Sequence, residues 1–131
     1  MFQDSVARTK IKGVGVDIAS ISRIAQLIKN YDRETLTTVF TAGELDYCSS
    51  ASDLELAYTL CFAIKESVGK ALATGLVDID WHEIEAELNN DRPKICLHGK
   101  AHVREQKLGI KKWLVNWWEW ECYVLVHVLA V

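Results

Sequence analysis

Residues 54–74 read LELAYTLCFAIKESVGKALAT, the stretch with the clearest periodicity in the chain. Apolar side chains recur in it every three or four positions, at Leu56, Leu60, Ala63, Ile64, Val68, Ala71 and Leu72. This spacing puts them on one face of an α-helix. It predicts the longest helix of the protein, and we expect Gly75 to end it.

Two helices and a strand are predicted on the N-terminal side of this segment. Residues 10–16 alternate in polarity and contain β-branched side chains, which predicts a strand. Residues 18–29 carry apolar side chains at helical spacing, and Asp17 stands where the N-cap of that helix is expected. A shorter helix is predicted from Thr41, because Glu44 follows three residues later as in a capping box.

On the C-terminal side the period changes from helical spacing to two. We predict strands at residues 84–88, 94–97, 113–118 and 123–131, and a short helix at 100–107. This order of helices and strands predicts an α+β fold, with helices packed against a mostly antiparallel sheet. With 131 residues in all, we expect a single domain spanning residues 1–131.

The composition is typical of an intracellular globular domain. Half of the residues are hydrophobic and only one is proline, which excludes disordered and collagen-like chains. No apolar run approaches the roughly 20 residues of a membrane-spanning helix, and the first ten residues lack the apolar segment of a secretory signal. The four cysteines form no C-x-x-C pair, so we expect buried, reduced thiols. We therefore expect a cytoplasmic protein with no membrane association.

The net charge of −3 is unevenly distributed. Residues 1–33 carry a net charge of +3, and the remaining residues carry −6. The chain has no long basic run and no interleaving of basic with aromatic residues, so we expect no nucleic-acid binding. The basic first third fits either a solvated helix face or a docking surface for an acidic protein or a phosphorylated ligand.

Two carboxylates and one lysine are candidates for chemistry. Asp17 follows GVGV and is either a helix cap or a carboxylate that projects into a crevice. Glu66 and Lys70 lie four residues apart on one helix face, a spacing that a simple surface ion pair also shows. Mg²⁺ typically takes one or two carboxylates and completes its shell with water and substrate phosphates. We predict that Asp17 and Glu66 converge on one Mg²⁺ ion.

Several short motifs occur in a fixed order along nearly the whole chain. The first is GVGVDI at residues 13–18, followed by RI at 23–24, and the second is FT at 40–41, followed by Glu44 and by YC at 47–48. The third is FAIKE at 62–66, followed by KA at 70–71 and TG at 74–75. Pro93 and GKA at 99–101 complete the series. In this combination they resemble the 4′-phosphopantetheinyl transferase superfamily, in its small holo-acyl-carrier-protein synthase type. The resemblance implies the α+β fold of that superfamily.

The resemblance also implies an activity and a set of site residues. The activity is transfer of the 4′-phosphopantetheine arm of coenzyme A to a serine of an acidic apo acyl carrier protein, with release of adenosine 3′,5′-bisphosphate. The resemblance assigns Mg²⁺ binding to Asp17 and Glu66, and catalysis to these two residues together with Lys70. It assigns coenzyme binding to Lys70, Gly75 and Pro93, and carrier docking to Arg23. A homotrimer with sites at subunit contacts is implied too, serving fatty acid or polyketide biosynthesis.

Two departures from the family pattern support a second hypothesis. Cys61 stands where the family usually has an arginine, and VNWWEWE at residues 115–121 replaces a Ser-His-Thr-like segment. The alternative is therefore a catalytically weakened homologue that binds coenzyme A or a carrier protein without transfer. A third hypothesis, a purely structural oligomeric module, leaves Gly69 in the middle of a helix without a reason.

The tryptophan cluster and two histidines have competing interpretations. Alternation along a strand puts Trp118 and Trp120 on one face and Trp117 on the other. A hydrophobic core or a subunit contact explains such a cluster, and stacking on adenine is the alternative. His98 and His102 lie four residues apart, but no acidic or cysteine ligand is evident to complete a helical metal site, so zinc is not predicted.

Overall fold

The computed structural model describes residues 10–73, 78–89 and 92–131 of the chain. The helices are α1 (Ile21–Asn30), α2 (Arg33–Leu36), α3 (Ala42–Ser49), α4 (Leu54–Ala71) and α5 (Gly99–Lys107), with a 3₁₀ turn at Trp81–Glu83. The strands are β1 (Gly13–Ser20), β2 (Ile84–Glu87), β3 (Lys94–Leu97), β4 (Trp113–Trp120) and β5 (Tyr123–Ala130). Helix α4 ends before residue 74, and Gly75, its predicted stop, lies outside the described residues. Within the described ranges, no helix combines the length and the apolar character needed to cross a membrane.

The strands form two antiparallel sheets. Three strands pair in the order β1-β5-β4, and Asp17 on β1 stands opposite Val126 on β5. Strands β2 and β3 form a separate pair. Helix α4 packs against β1 and β5, and the β5 side chains that are fully buried are Val124, Val126, Val128 and Ala130. The predicted α+β fold, with helices on antiparallel sheets, is confirmed.

Strand β1 lies directly against the backbone of α4 because two of its residues have no side chain. A Cβ atom on Gly15 would lie 1.8 Å from the carbonyl oxygen of Ser67, and one on Gly13 would lie 2.1 Å from that of Ala71. Only glycine fits at such separations. The GVGVD motif therefore sets the distance between strand and helix, and it brings Asp17 up to α4.

The first helix begins later than the sequence predicts. Strand β1 continues through Asp17 and pairs with β5 as far as Ser20. The N-cap of α1 is Ser20, whose Oγ accepts a hydrogen bond from the Arg23 N–H at 3.3 Å. The helix-cap interpretation of Asp17 is therefore wrong, because strand pairing outweighs the local cap preference. Helix α2, which periodicity did not predict, is capped by Asp32, which accepts from the Thr35 N–H at 2.8 Å.

A buried charged pair joins α3, α4 and β2. The predicted capping box of Thr41 and Glu44 is present at the start of α3. The Lys65 ammonium group donates to Glu44 Oε1 at 2.7 Å, and neither side chain has any exposed surface. The other oxygen of Glu44 accepts from the Ala86 N–H at 2.7 Å. Charges this deeply buried need such partners, so Lys65 and Glu44 serve to position α4 and β2.

Candidate active site

Three of the predicted site residues, each from a different element, line one open cleft. Asp17 of β1, Arg23 of α1 and Glu66 of α4 line a cavity of about 660 Å³. Strand and helix meet here because Gly13 and Gly15 allow their backbones to touch. The two carboxylates that the sequence analysis paired therefore share one cavity.

Lys70 contacts Asp17. Its Nζ lies 3.1 Å from Asp17 Oδ1 and donates a hydrogen bond to the Val16 carbonyl oxygen at 2.8 Å. The Asp17 side chain is 17% exposed and the Lys70 side chain 48% exposed. The lysine thus compensates a largely buried carboxylate, and it is itself about half exposed to solvent.

Glu66 is held in an environment that disfavours its charge. Burial raises the pKa of Glu66, and the negative charge of Asp17 raises it further, while the Lys70 ammonium lowers it. A cation between the two carboxylates would relieve this repulsion. Two carboxylates that face an open, water-accessible cavity are the oxygen donors that a hard divalent ion such as Mg²⁺ takes, so the residues present fit a magnesium ion.

The remaining walls of the cleft are aliphatic and aromatic, with Arg23 as their basic residue. Phe62 lines the cleft and stacks on Trp81, with ring centroids 5.1 Å apart. Tyr123 also lines the cleft and is 45% exposed. Among the residues that the structure describes, no carboxylate lies within ion-pair distance of the Arg23 guanidinium. The sequence analysis missed Tyr123, because its place follows from the pairing of β1 with β5, opposite Ser20, and no periodicity reveals that pairing.

Pro93 does not line this cleft. It lines a separate cavity of about 210 Å³, together with Tyr47 and Trp117. Gly75, the other residue expected near the coenzyme, lies outside the described residues. A single chain thus brings together Asp17, Glu66, Lys70 and Arg23, but not Pro93.

The four cysteines are free thiols in three different environments. Cys48 and Cys61 are fully buried, with their sulfur atoms 3.6 Å apart. Cys96 is partly exposed, and Cys122 is exposed, which corrects the expectation that all four are buried. Because Cys61 lies in the core, the residue that replaces the family's usual arginine does not line the cleft.

The outer face of the three-stranded sheet is apolar and uncovered in the single chain. We call it the apolar sheet face, and its exposed members are Val14, Val16, Ile18, Trp118, Trp120 and Tyr123. Trp118 and Trp120 share this face, whereas Trp117 lines the cavity that contains Pro93, so the predicted alternation is confirmed. Ile18 and Tyr123 line both this face and the cleft, so the two surfaces are continuous.

Known proteins share the sequence pattern of this chain. The sequence model of the 4′-phosphopantetheinyl transferase superfamily matches residues 13–124. The holo-acyl-carrier-protein synthase of Koribacter versatilis is 32% identical over 121 residues, which are 91% of this chain and 97% of that protein. The corresponding synthase of Geotalea daltonii is 39% identical over 106 residues, 78% of this chain and 83% of that protein.

Solved structures show the same fold. The holo-acyl-carrier-protein synthase of Neisseria meningitidis superposes with a TM-score of 0.81 at 26% identity, covering 93% of this chain and 99% of that one. The Helicobacter pylori enzyme, solved in complex with coenzyme A, superposes with a TM-score of 0.76 at 21% identity, over 90% of this chain and 99% of that one. The chain belongs to the 4′-phosphopantetheinyl transferase superfamily, as an enzyme of the holo-acyl-carrier-protein synthase type.

Proposed function

We propose that this enzyme moves the 4′-phosphopantetheine arm of coenzyme A onto a serine of an apo acyl carrier protein, with Mg²⁺ held by Asp17 and Glu66. The observation that carries this proposal is that both carboxylates line one open cleft, beside the ammonium group of Lys70. In the reaction the serine oxygen forms a bond to the pantetheine-side phosphorus and loses its proton. The bond to the bridging oxygen breaks, and adenosine 3′,5′-bisphosphate leaves.

The chain's own groups would supply binding and charge neutralisation, which dominate catalysis of phosphoryl-type transfer. Asp17 and Glu66 would hold the ion, which when bound neutralises and polarises the diphosphate. Lys70 is half exposed, and its ammonium group contacts the carboxylate of Asp17. The ion would also neutralise the charge of that carboxylate. The ammonium group of Lys70 is therefore available to the phosphates of the coenzyme.

The coenzyme would lie along the cleft, with Lys70, Gly75 and Pro93 as its contacts. The complex of the Helicobacter pylori relative with coenzyme A supports the ligand class. Pro93 lines a different cavity of the same chain. A coenzyme that bridges two copies of the chain, at a subunit contact, would meet Pro93 of one copy and the cleft of the other.

Arg23 would dock the carrier protein. It lines the cleft, and the described part of the chain offers its guanidinium no carboxylate partner. The net charge of +3 over residues 1–33 would favour the approach of an acidic partner. An acidic carrier helix beside Arg23 would bring the acceptor serine to the mouth of the cleft.

We propose that the apolar sheet face is covered by further copies of the same chain, in a homotrimer. Trp120 is 70% exposed and Ile18 is 65% exposed, and with their neighbours they line an entirely apolar cavity of about 500 Å³. Exposed apolar patches of this kind on a folded chain mark interaction sites. Because this face is continuous with the cleft, self-association through it would also enclose the coenzyme.

The competing hypothesis is a weakened homologue that binds coenzyme A or a carrier protein without transfer. The replacement of the family's usual arginine by Cys61 favours it, since a cationic phosphate ligand is lost. Against it, Cys61 is buried outside the cleft, while Asp17 and Glu66 line the cleft and Lys70 contacts Asp17. We therefore favour transfer.

Mass spectrometry of an apo acyl carrier protein tests the proposal. Incubation with the enzyme, coenzyme A and Mg²⁺ should add the mass of the phosphopantetheine arm, and an excess of chelator should prevent the addition. Glu66→Gln should abolish the mass gain, whereas the matched control Glu55→Gln, an exposed residue of the same helix, should not. Binding of coenzyme A without a mass gain on any carrier would support the weakened homologue instead.

A further inference from the structure

A second group of potential metal ligands lies away from the cleft, on the β2–β3 pair. Glu85 stands opposite Cys96 across the two strands, and His98 follows at the end of β3. One ligand atom from each residue lies within 4.8 Å of the other two. None of the three residues lines the cleft of Asp17 and Glu66. The sequence analysis missed this group because it compared His98 with His102, whereas the carboxylate and the thiol reach His98 only through strand pairing.

The carboxylate of Glu85 is fixed before any ion binds. Its Oε2 accepts a hydrogen bond from the Thr41 hydroxyl at 2.8 Å, and its Oε1 lies 3.1 Å from His98 Nε2. The first contact ties the residue to the start of α3, and the second points the imidazole at the other carboxylate oxygen. Hydrogen bonds from outside a metal site commonly hold ligating carboxylates in this way.

The backbone at His98 is fixed just as firmly. The His98 N–H donates to the Glu83 carbonyl oxygen at 2.8 Å, and the Glu83 carboxylate accepts from the backbone N–H groups of Lys100 and Ala101. Gly99 has a φ of +55°, which allows the sharp change of direction from strand to helix. The imidazole is therefore presented from a rigid junction rather than from a flexible loop.

The charge around the cluster favours a cation. Besides Glu85, the carboxylates of Glu87 and Glu105 add negative potential at the Cys96 sulfur. Lys94, opposite Glu87 across the strands, offsets part of this charge. Carboxylate, imidazole and thiol together are the ligand set of zinc-class ions, whereas Mg²⁺ prefers oxygen ligands alone.

We propose that Glu85, Cys96 and His98 form a binding site for Zn²⁺ or a similar transition-metal ion, with water as the fourth ligand. Zinc bonds of about 2.0–2.3 Å place tetrahedral ligands about 3.3–3.8 Å apart, so the observed cluster needs only a small contraction. Binding releases the thiol proton to solvent, and the metal ties β2 and β3 to the start of α5. The proposal does not depend on the phosphopantetheine transfer.

Cobalt substitution in the full chain tests this site. Co²⁺ added to chelator-treated protein should produce the near-ultraviolet charge-transfer band of a cobalt–thiolate bond and the strong visible bands of a tetrahedral ion. Cys96→Ser should remove the charge-transfer band, and His98→Ala should weaken Co²⁺ binding by about tenfold or more. The matched controls Cys122→Ser and His102→Ala should leave the spectrum unchanged. Equal spectra in all five proteins, or loss of the band only in Cys122→Ser, would overturn the proposal.

Thiol alkylation of the unmodified protein provides a test that needs no variant. Peptide mass spectrometry after iodoacetamide treatment should show that Zn²⁺ slows alkylation of Cys96 by about tenfold or more, while Mg²⁺ does not. Alkylation of the exposed Cys122 should proceed at the same rate with either ion. Unchanged alkylation of Cys96 in the presence of Zn²⁺ would contradict the site even if the variants failed to fold.

Discussion

Glu66 is subject to two opposing demands. Burial and the charge of Asp17 raise its pKa, so the ionised side chain destabilises the metal-free protein. The proposed metal site needs the same charge in the same place. A side chain that lowers the stability of the fold and contributes to a binding site is typical of functional positions.

Removing that charge should stabilise the metal-free enzyme. Because the pKa of Glu66 is raised on folding, the folded state binds the proton more tightly than the unfolded state. The free energy of unfolding therefore falls as pH rises from the ordinary glutamate pKa through the raised one. In chelator at neutral pH, Glu66→Gln should melt at a higher temperature than the wild type, and the difference should shrink in acid.

Binding of Mg²⁺ should raise the melting temperature of the wild type above that of Glu66→Gln. An ion at about 100 times its dissociation constant stabilises a protein by about 2.7 kcal/mol, and the wild type and Glu55→Gln should gain this whereas Glu66→Gln should not. Thermal melts followed by circular dichroism, with and without Mg²⁺, measure both effects, and Glu55→Gln serves as the control. Equal stabilisation of Glu66→Gln by Mg²⁺ would show that the ion binds elsewhere.

Substitution of Arg23 should raise the KM for the carrier protein but not the KM for coenzyme A. If it docks the carrier protein, Arg23→Ala should raise the KM for the carrier by about tenfold, since one charged contact is worth about 1.4 kcal/mol here. The KM for coenzyme A should stay within about twofold. Lys29→Ala, an exposed basic residue on the same helix, is the control in steady-state assays. A parallel rise in both KM values would refute a docking role.

At the scale of elements, the contact between β1 and α4 builds the site. The apolar periodicity of residues 54–74 was sufficient to predict α4, and the alternation of residues 84–97 was sufficient to predict β2 and β3. Neither pattern indicates that β1 lies on α4. That contact depends on Gly13 and Gly15, whose role becomes visible only when the two backbones are side by side.

A methyl group at Gly15 should therefore damage both fold and site. In Gly15→Ala the new Cβ would lie 1.8 Å from the Ser67 carbonyl oxygen, so β1 must move away from α4. Overpacking of this kind costs about 1–3 kcal/mol of unfolding free energy. Chemical denaturation measures the loss, and the transfer rate should fall with it because Asp17 moves with the strand.

Gly43→Ala is the matched control for this substitution. Its new Cβ would meet the end of the Glu85 side chain at 3.0 Å and the Thr41 hydroxyl at 3.9 Å, but no backbone atom, so we expect a much smaller change. Equal stability of Gly15→Ala and the wild type would contradict the close-packing argument.

At the scale of the whole molecule, the single chain leaves the apolar sheet face exposed to solvent. The apolar sheet face adjoins the cleft, and Pro93 lies in another cavity. Local patterns were sufficient to predict that Trp118 and Trp120 share a face. They could not indicate whether a core, a ligand or another chain covers that face, because this depends on what packs against the finished sheet.

A charge on the apolar sheet face should separate the proposed trimer. Trp120→Lys replaces a 70% exposed indole with an ammonium group, and desolvating that group at a contact should weaken association by about tenfold or more. Analytical ultracentrifugation measures the mass in solution. Val103→Lys, an exposed apolar residue on α5, should leave the mass unchanged. A wild type that sediments as a monomer at all concentrations would refute self-association.

The sequence analysis paired Asp17 with Glu66, and the structure puts both residues in one cleft. It also offered Asp17 as a helix cap, because a local pattern does not reveal the pairing of β1 with β5 that continues the strand to Ser20. It missed the contact between Lys70 and Asp17 for the same reason. Pairings between distant segments depend on tertiary packing, which periodicity does not contain.

The coupling between Mg²⁺ and coenzyme A reports whether Asp17 and Glu66 hold an ion beside the diphosphate. Calorimetric titration of coenzyme A into the enzyme, once with saturating Mg²⁺ and once with chelator, gives the factor by which the ion strengthens coenzyme binding. If Asp17 and Glu66 hold the ion beside the diphosphate, Mg²⁺ should tighten binding to the wild type by about 5- to 150-fold, and this factor should approach one in Asp17→Asn and Glu66→Gln. The same factor in all three proteins would contradict the account.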